Sequence, residues 1–218
     1  MAQIFPPSAN TLARLSIVGG ALVTAGILVG SFVVYRASFL TQVNINKEQP
    51  VPFSHRQHVG GLGMDCRFCH TSVEDSSFAG VPPTHTCMSC HSQVLTGAAI
   101  LQPVRDSWSV KKPLEWTRVS DLPDFVYFDH SIHISKGVGC VTCHGRLDQM
   151  PLTWKVHTFH MSWCLDCHRA PENFLRPREQ VYSMDWRPAE NQRTLGVRLV
   201  KEYDVNVRQL TNCSVCHR

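Results

Sequence analysis

The chain has 218 residues, a length typical of one or two domains. Its formal net charge is +4, with 17% charged and 9% aromatic residues, and this small excess of positive charge does not indicate a nucleic-acid partner. Ten cysteines require an assignment as disulfides, metal ligands or cofactor attachment points.

The first recognisable element is an uncharged stretch from Leu15 to Tyr35. Its 21 residues are enough to span a bilayer as a helix. A cleaved signal peptide is the alternative, but its apolar region would be shorter and followed by small residues in an A-x-A-like site, and residues 35–39 do not provide one. We therefore predict an uncleaved signal anchor.

One pentapeptide pattern, C-x-x-C-H, occurs five times and uses every cysteine of the chain. The pattern is the attachment signature of c-type haem, in which both thiols bond to the porphyrin and the histidine becomes the proximal iron ligand. A redox dithiol or a zinc ribbon would not need the histidine, which follows the second cysteine in all five copies. We predict five covalent haems, at motifs numbered in chain order: Cys66, Cys69 and His70; Cys87, Cys90 and His91; Cys140, Cys143 and His144; Cys164, Cys167 and His168; Cys213, Cys216 and His217.

Five haems limit the kind of fold that the remaining residues can form. About 180 residues outside the anchor are too few for five haems and an ordinary core as well. We therefore expect one transmembrane helix followed by a multihaem cytochrome c domain, with a few short helices and mostly coil around stacked haems. The haem propionates would bring the net charge close to zero. Because c-type haem is attached on the outer face of the bacterial inner membrane, we expect a cytoplasmic N-terminus and a periplasmic haem domain.

An internal repeat organises this domain. The pattern F-x-H-x-x-H occurs at Phe53–His58 and again at Phe128–His133, each time before a haem motif. The first histidines are 75 residues apart, and the following haem motifs are offset by 74 and 77 residues. These offsets indicate a duplication of residues 51–91 as 126–168, with the fifth motif at 213–217 outside both units.

Three further elements are expected between and after the motifs. Residues 104–119 mix charged residues with tryptophan and proline, and are interpreted as a connector crossing the surface. Residues 124–128 have the aromatic and β-branched composition of a short strand. A last helix is predicted from Pro188, with an apolar stripe that is expected to serve packing: Leu195, Leu199, Val200 and Tyr203.

The histidine pairs predict how the haems are linked. In H-x-x-H, two side chains leave nearly the same face of a helix, so they cannot bind one iron from opposite sides but can bind two neighbouring irons. We therefore expect four distal ligands: His55, His58, His130 and His133. Three histidines are left, and we expect them to assist propionates or ligands: His85, His157 and His160.

Four distal histidines leave one of five irons without a sixth ligand. A methionine is the natural candidate, and its thioether would give that haem the highest reduction potential. Met150 and Met161 are favoured and Met184 is a third choice, although each can also be simple core filling. Any of the three remaining histidines could take the place of the methionine.

The layout of F-x-H-x-x-H followed by C-x-x-C-H resembles the class III multihaem cytochromes, the cytochrome c3 and c7 group, over residues 51–170. The anchor, the five motifs and the strings at 121–130, 137–140 and 163–169 are similar to the ActA family, the pentahaem subunits of bacterial alternative complex III. This resemblance implies an electron-transfer subunit of a quinol oxidoreductase, not a catalyst by itself. Electrons would come from an iron–sulfur subunit and leave through a monohaem cytochrome or a periplasmic acceptor.

Two other functions fit parts of the sequence. A stand-alone quinol dehydrogenase of the NapC/NirT type would have a comparable anchor and several haems. A terminal multihaem reductase would need an open iron, and the C-x-x-C-K motif of nitrite reductases does not occur here. The expected boundaries are a cytoplasmic N-terminus at 1–14, a transmembrane anchor at 15–36, a linker at 37–50 and a pentahaem domain at 51–218.

Overall fold

A computed structural model describes residues 4–217, and these residues form two units that divide after Gln42. The first unit consists of helix α1, Ala9–Arg36, and the single turn α2, Ser38–Thr41. With 28 residues, α1 is about 42 Å long and exceeds the roughly 30 Å hydrocarbon core of a bilayer. None of its side chains is buried. Length and composition allow α1 to cross a membrane, although a signal sequence meets the same criterion.

The second unit, from Val43 onward, consists of short helices joined by ordered coil. Up to residue 217 its backbone forms no strand, only three isolated bridges. This architecture confirms the expected fold class. Single turns of other helix types lie at Arg56–Gly61 (π) and at Ala99–Leu101, Leu147–Gln149, Pro171–Asn173 and Arg178–Gln180 (3-10). The α-helices are α3 (Cys66–Cys69), α4 (Thr84–His91), α5 (Gln102–Val110), α6 (His130–Ser135), α7 (Cys140–His144), α8 (Met161–Arg169), α9 (Gln192–Glu202) and α10 (Cys213–Cys216).

A small apolar core lies under the third motif, where α9 packs against residues 171–175. Its buried members are Leu175, Leu195, Leu199 and Tyr203. Two glycines permit the close packing. A methyl group at Gly196 would overlap the carbonyl of Glu172, and at Gly137, whose φ is +79°, it would strike the Tyr203 ring. The apolar stripe of α9 therefore serves packing, as predicted.

The structure corrects three local predictions. Residues 124–128 are not a strand: the Val126 amide closes a turn on Pro123, and only the Tyr127 amide reaches another segment, at Cys216. The last helix begins at Gln192, not at Pro188, because the Asn191 side chain accepts hydrogen bonds from the first-turn amides and so fixes the helix start.

The predicted surface connector at 104–119 is partly wrong, because its first half belongs to α5. Pro103 stands in the first turn of this helix, where its missing N–H costs nothing. Val104 and Ser107 are buried, and the Ser107 hydroxyl lies 2.6 Å from that of Thr84 in α4. The second half, from residue 112 onward, is coil, as a connector should be.

We expect Leu199→Ala to lower the free energy of unfolding by about 3 kcal/mol, because it deletes a side chain that is only 3% exposed. Denaturant unfolding of the haem-loaded protein measures the change. Val197→Ala, on the exposed face of the same helix, is the matched control and should change the free energy by less than about 0.5 kcal/mol. Equal effects of the two substitutions would show that α9 does not pack as described.

Candidate haem sites

Each of the five attachment motifs forms one short helical turn, or the end of a helix, in α3, α4, α7, α8 and α10. One turn brings the two cysteines of a motif to the same side, and the histidine follows directly. The first motif shows the local cause, since the Asp65 carboxylate accepts a hydrogen bond from the Arg67 amide at 2.8 Å and caps α3.

None of the ten cysteines forms a disulfide, and most are partly buried. Burial raises the pKa of Cys143 to about 12 and that of Cys140 to about 11. A redox-active dithiol needs the opposite, a lowered pKa that supplies thiolate at neutral pH. Cys140 and Cys143 therefore lack the lowered pKa of a dithiol redox centre.

Three pairs of histidine rings have similar ring-centre separations, although the angle between the ring planes varies from 7° to 70°. Two imidazoles on opposite sides of one metal, with metal–nitrogen bonds of about 2.0 Å, have ring centres about 6 Å apart. The gaps in the structure therefore fit a six-coordinate iron held by two histidines. The ring-centre distances are 6.2 Å for His58 and His91, 6.4 Å for His130 and His144, and 6.2 Å for His133 and His168.

The fourth distal candidate, His55, lies beside His70 of the first motif. Burial and, to a smaller extent, the neighbouring rings of His70 and His58 together lower the pKa of His55 to about 4. The Thr153 hydroxyl lies 2.9 Å from Nδ1 of His55. The π turn that begins after His55 thus directs His55 towards the first motif and His58 towards the second.

Hydrogen bonds orient these rings in a way that the sequence did not indicate. Nδ1 of a motif or distal histidine repeatedly donates to a main-chain carbonyl, which leaves Nε2 with its lone pair for a metal. For His130 the acceptor is Ser77, 53 residues away. The other donor and acceptor pairs are His58–Ser54, His70–Gly80, His91–Val94, His133–Asp129, His168–Leu210 and His217–Phe125, at 2.6–3.1 Å.

The phenylalanine of each F-x-H-x-x-H pattern packs against both of its histidines. Phe53 stacks on His58 with ring centres 4.4 Å apart, and Phe128 stacks on His133 at the same distance. Each phenylalanine meets the first histidine edge to face, at 4.9 Å and 4.8 Å respectively. The sequence repeat is thus also a repeat of geometry, and the two phenylalanines fix the ring planes of their histidines.

The remaining candidate residues occupy different environments. His85 is exposed on α4, His157 stacks on Trp163 at 4.9 Å, and the His160 amide donates to the Thr158 hydroxyl at 3.4 Å. Met150 is buried against Gly145 at the end of the third motif, and Met184 is buried near Cys66. Met161, the first residue of α8, is 59% exposed.

The motifs follow one another in space in an order that differs from the chain. Besides burial, neighbouring thiols raise the pKa of several cysteines, and each of these cysteines has at least one such neighbour in another motif. The second motif lies next to the first, the first next to the third, the third next to the fourth, and the fourth next to the fifth. The thiol neighbours are Cys69 with Cys87 and Cys90, Cys140 with Cys66, Cys143 with Cys167, and Cys164 with Cys216.

Potential ligands come together in pairs and not in larger groups. Among residues 4–217, no three side chains of His, Cys, Asp or Glu converge as they would around a zinc ion. Two histidine ligands suit an iron whose other ligands come from a porphyrin. The described donor set therefore fits haem.

Comparison with known proteins agrees with this geometry. Residues 126–218 match the family model described as cytochrome c7 and related cytochrome c. A segment of 99 residues, 45% of this chain, is 41% identical to the multihaem cytochrome c subunit of menaquinone reductase from Nitratidesulfovibrio vulgaris. The match covers 46% of that subunit, so the chain aligns with about half the length of this curated relative. Residues 126–218 are thus similar to a cytochrome c7 domain, and domains of this type bind haem c covalently and transfer electrons.

Proposed function

We propose that the chain is a membrane-anchored pentahaem subunit that carries electrons within a quinol oxidoreductase of the alternative complex III type. The paired imidazoles support this proposal. The three ring pairs, together with the neighbours His55 and His70, would provide four irons with two histidine ligands each. A haem iron with protein ligands at both axial positions exchanges electrons without binding a substrate. The residues of this chain would hold the haems in a defined spatial order.

The ligand assignment follows the pairs in the structure. The motif histidines are the proximal ligands, and His55, His58, His130 and His133 are the distal ligands of the first, second, third and fourth haems. For the fifth haem we assign Met161. Met150 and Met184 are buried beside motifs that already have a candidate distal histidine. Met161 instead precedes Cys164 by one helical turn. Cys164 in turn neighbours Cys216 of the fifth motif.

The order of the motifs supports a linear path for electrons. It runs from the second motif through the first, third and fourth to the fifth. The turn with His55 and His58 links the first two sites, and α6, with His130 and His133, links the third and fourth. The second and fifth motifs are then the ends of the path, where partner proteins would exchange electrons. We place the haem domain on the periplasmic side of the bacterial inner membrane, anchored by α1.

The relative is named as a subunit of a menaquinone reductase, an enzyme that delivers electrons to quinone. Electron flow towards quinone is therefore a second direction to test. An iron–sulfur subunit and a monohaem cytochrome are the partners expected in a quinol-oxidising complex. A stand-alone dehydrogenase of the NapC/NirT type remains the other candidate, with α1 as its anchor.

We expect five haems to remain bound after denaturation, because all ten cysteines lie in attachment motifs. Mass spectrometry of the unfolded, matured chain counts them. Replacing both cysteines of the fifth motif, Cys213→Ala with Cys216→Ala, should reduce the count by one and leave the other four haems attached. Four or fewer haems on the fully matured natural chain would contradict the pentahaem assignment.

We also expect this chain to purify with larger membrane subunits in mild detergent, and the purified complex to reduce an acceptor cytochrome with quinol. A tag on this chain and a quinol oxidation assay provide the test. Isolation of the 24.5 kDa chain alone with full quinol activity would favour the stand-alone dehydrogenase. Quinone reduction without quinol oxidation would show that electrons flow in the direction opposite to the proposed one.

A further inference from the structure

Arg176 is a buried arginine that lies against the start of the third motif. It is only 7% exposed and belongs to a segment that wraps around the N-terminus of α7. The Arg176 amide donates to the Gly137 carbonyl at 2.9 Å, and the Cys140 amide donates to the Val181 carbonyl at 3.1 Å. The arginine and the attachment cysteine are therefore held in one small framework of main-chain hydrogen bonds.

The partners of the guanidinium are all neutral. Its Nη1 donates to the carbonyls of Ser183 at 3.1 Å and Gln180 at 3.4 Å, and its Cζ lies 5.0 Å from the centre of the Trp186 ring. Nε is enclosed and has no acceptor. Within residues 4–217, no carboxylate forms an ion pair with Arg176. An arginine keeps its proton at physiological pH, so a full positive charge is buried here without a counter-charge.

The guanidinium also lies close to where the haem of the third motif is attached. A methyl group on Gly139 would overlap the guanidinium, so the charge packs directly on the residue before Cys140. Once the thioether has formed, the Cys140 sulfur would be two bonds from the porphyrin ring. Because Nε is enclosed by protein, it is not available to a haem propionate.

We infer that Arg176 raises the reduction potential of the haem bound at the third motif, an inference that rests on the proposed haem assignment. Reduction of ferric to ferrous iron removes one positive charge from the haem, and a nearby buried cation favours the form with less positive charge. Solvent and salt screen such a charge weakly because it is enclosed. Arg176 would thereby set the potential of the central haem of the proposed path.

The test is a spectroscopic redox titration of the full chain carrying Arg176→Gln. We expect one of the five couples to fall, with the equilibrium constant for reduction reduced roughly tenfold, or about 59 mV for one electron. His130→Met, which replaces the ring facing His144, identifies the couple of the third haem by raising its potential. Arg176→Lys keeps the cation and should leave the couple near its natural value.

Arg178→Gln is the matched control, because this arginine is exposed and donates to the Ser135 carbonyl. It should leave all five couples unchanged. A purely structural role for Arg176 predicts that Arg176→Gln lowers stability without moving any couple, and this result would overturn the inference. If that variant does not mature, Gln180→Glu is used instead, since the main-chain carbonyl of this residue accepts from Nη1 of Arg176. The added negative charge in this segment should lower the same couple, and an unchanged couple would then refute the tuning role. A low haem count in the natural chain would count against the pentahaem assignment instead.

Discussion

Replacing His58 by alanine is expected to convert one haem from low spin to high spin, and the affected haem should be that of the second motif. The ring centre of His58 lies 6.2 Å from that of His91, the separation of two imidazoles on one iron. Loss of the distal ligand opens this iron, so about one fifth of the haem signal should change. Electronic absorption and electron paramagnetic resonance spectra report the change, and mass spectrometry should still count every haem.

The location of the affected haem can be tested in a variant without the second haem, made with Cys87→Ala and Cys90→Ala. In this background His58→Ala should produce no further high-spin signal, whereas His55→Ala should still do so, because His55 lies beside His70. His85→Ala is a control within α4, since His85 is exposed. A high-spin signal from His58→Ala in the absence of the second haem would show that the proposed pairing is wrong.

The sequence alone predicted the fold class because the attachment motifs leave little room for anything else. Short helices form where C-x-x-C-H requires a turn, and coil is expected between them because about 180 residues are too few for five haems and a conventional core as well. The strand predicted at 124–128 was wrong for a related reason. Its aromatic residues suit a sheet, but Phe125 stacks on His217 at 5.9 Å and serves the fifth motif instead.

The candidate site was only partly predictable. The spacing in H-x-x-H shows that two side chains from one face must reach two irons, and the structure places His55 and His58 beside different motifs. Ligation itself stays a prediction. Several carbonyls that orient the rings are distant along the chain: Leu210 accepts from His168, 42 residues away, and Ser77 from His130, 53 residues away. The spatial order of the motifs depends on such contacts too, so the spacing along the chain could not give it.

The fifth haem is expected to have the highest reduction potential, because a thioether ligand favours ferrous iron more than imidazole does. Met161→His should lower this potential by roughly 0.1–0.2 V, a modest part of the about 0.8 V range that axial ligands set. The other four couples should change little. Met161→Ala should instead remove the near-infrared band of a ferric His/Met haem, without loss of haem by mass.

Met150→Leu is the matched control for Met161, because Met150 is buried and its loss removes a thioether without opening the fifth site. This substitution should cost less than about 1.5 kcal/mol of stability and leave the near-infrared band intact. Loss of the band in Met150→Leu would transfer the ligand role to Met150. Five bis-histidine signals and no thioether band in the natural protein would exclude every methionine. One of the three remaining histidines, His85, His157 or His160, would then close the fifth iron, and the high-potential end of the path would lose its chemical basis.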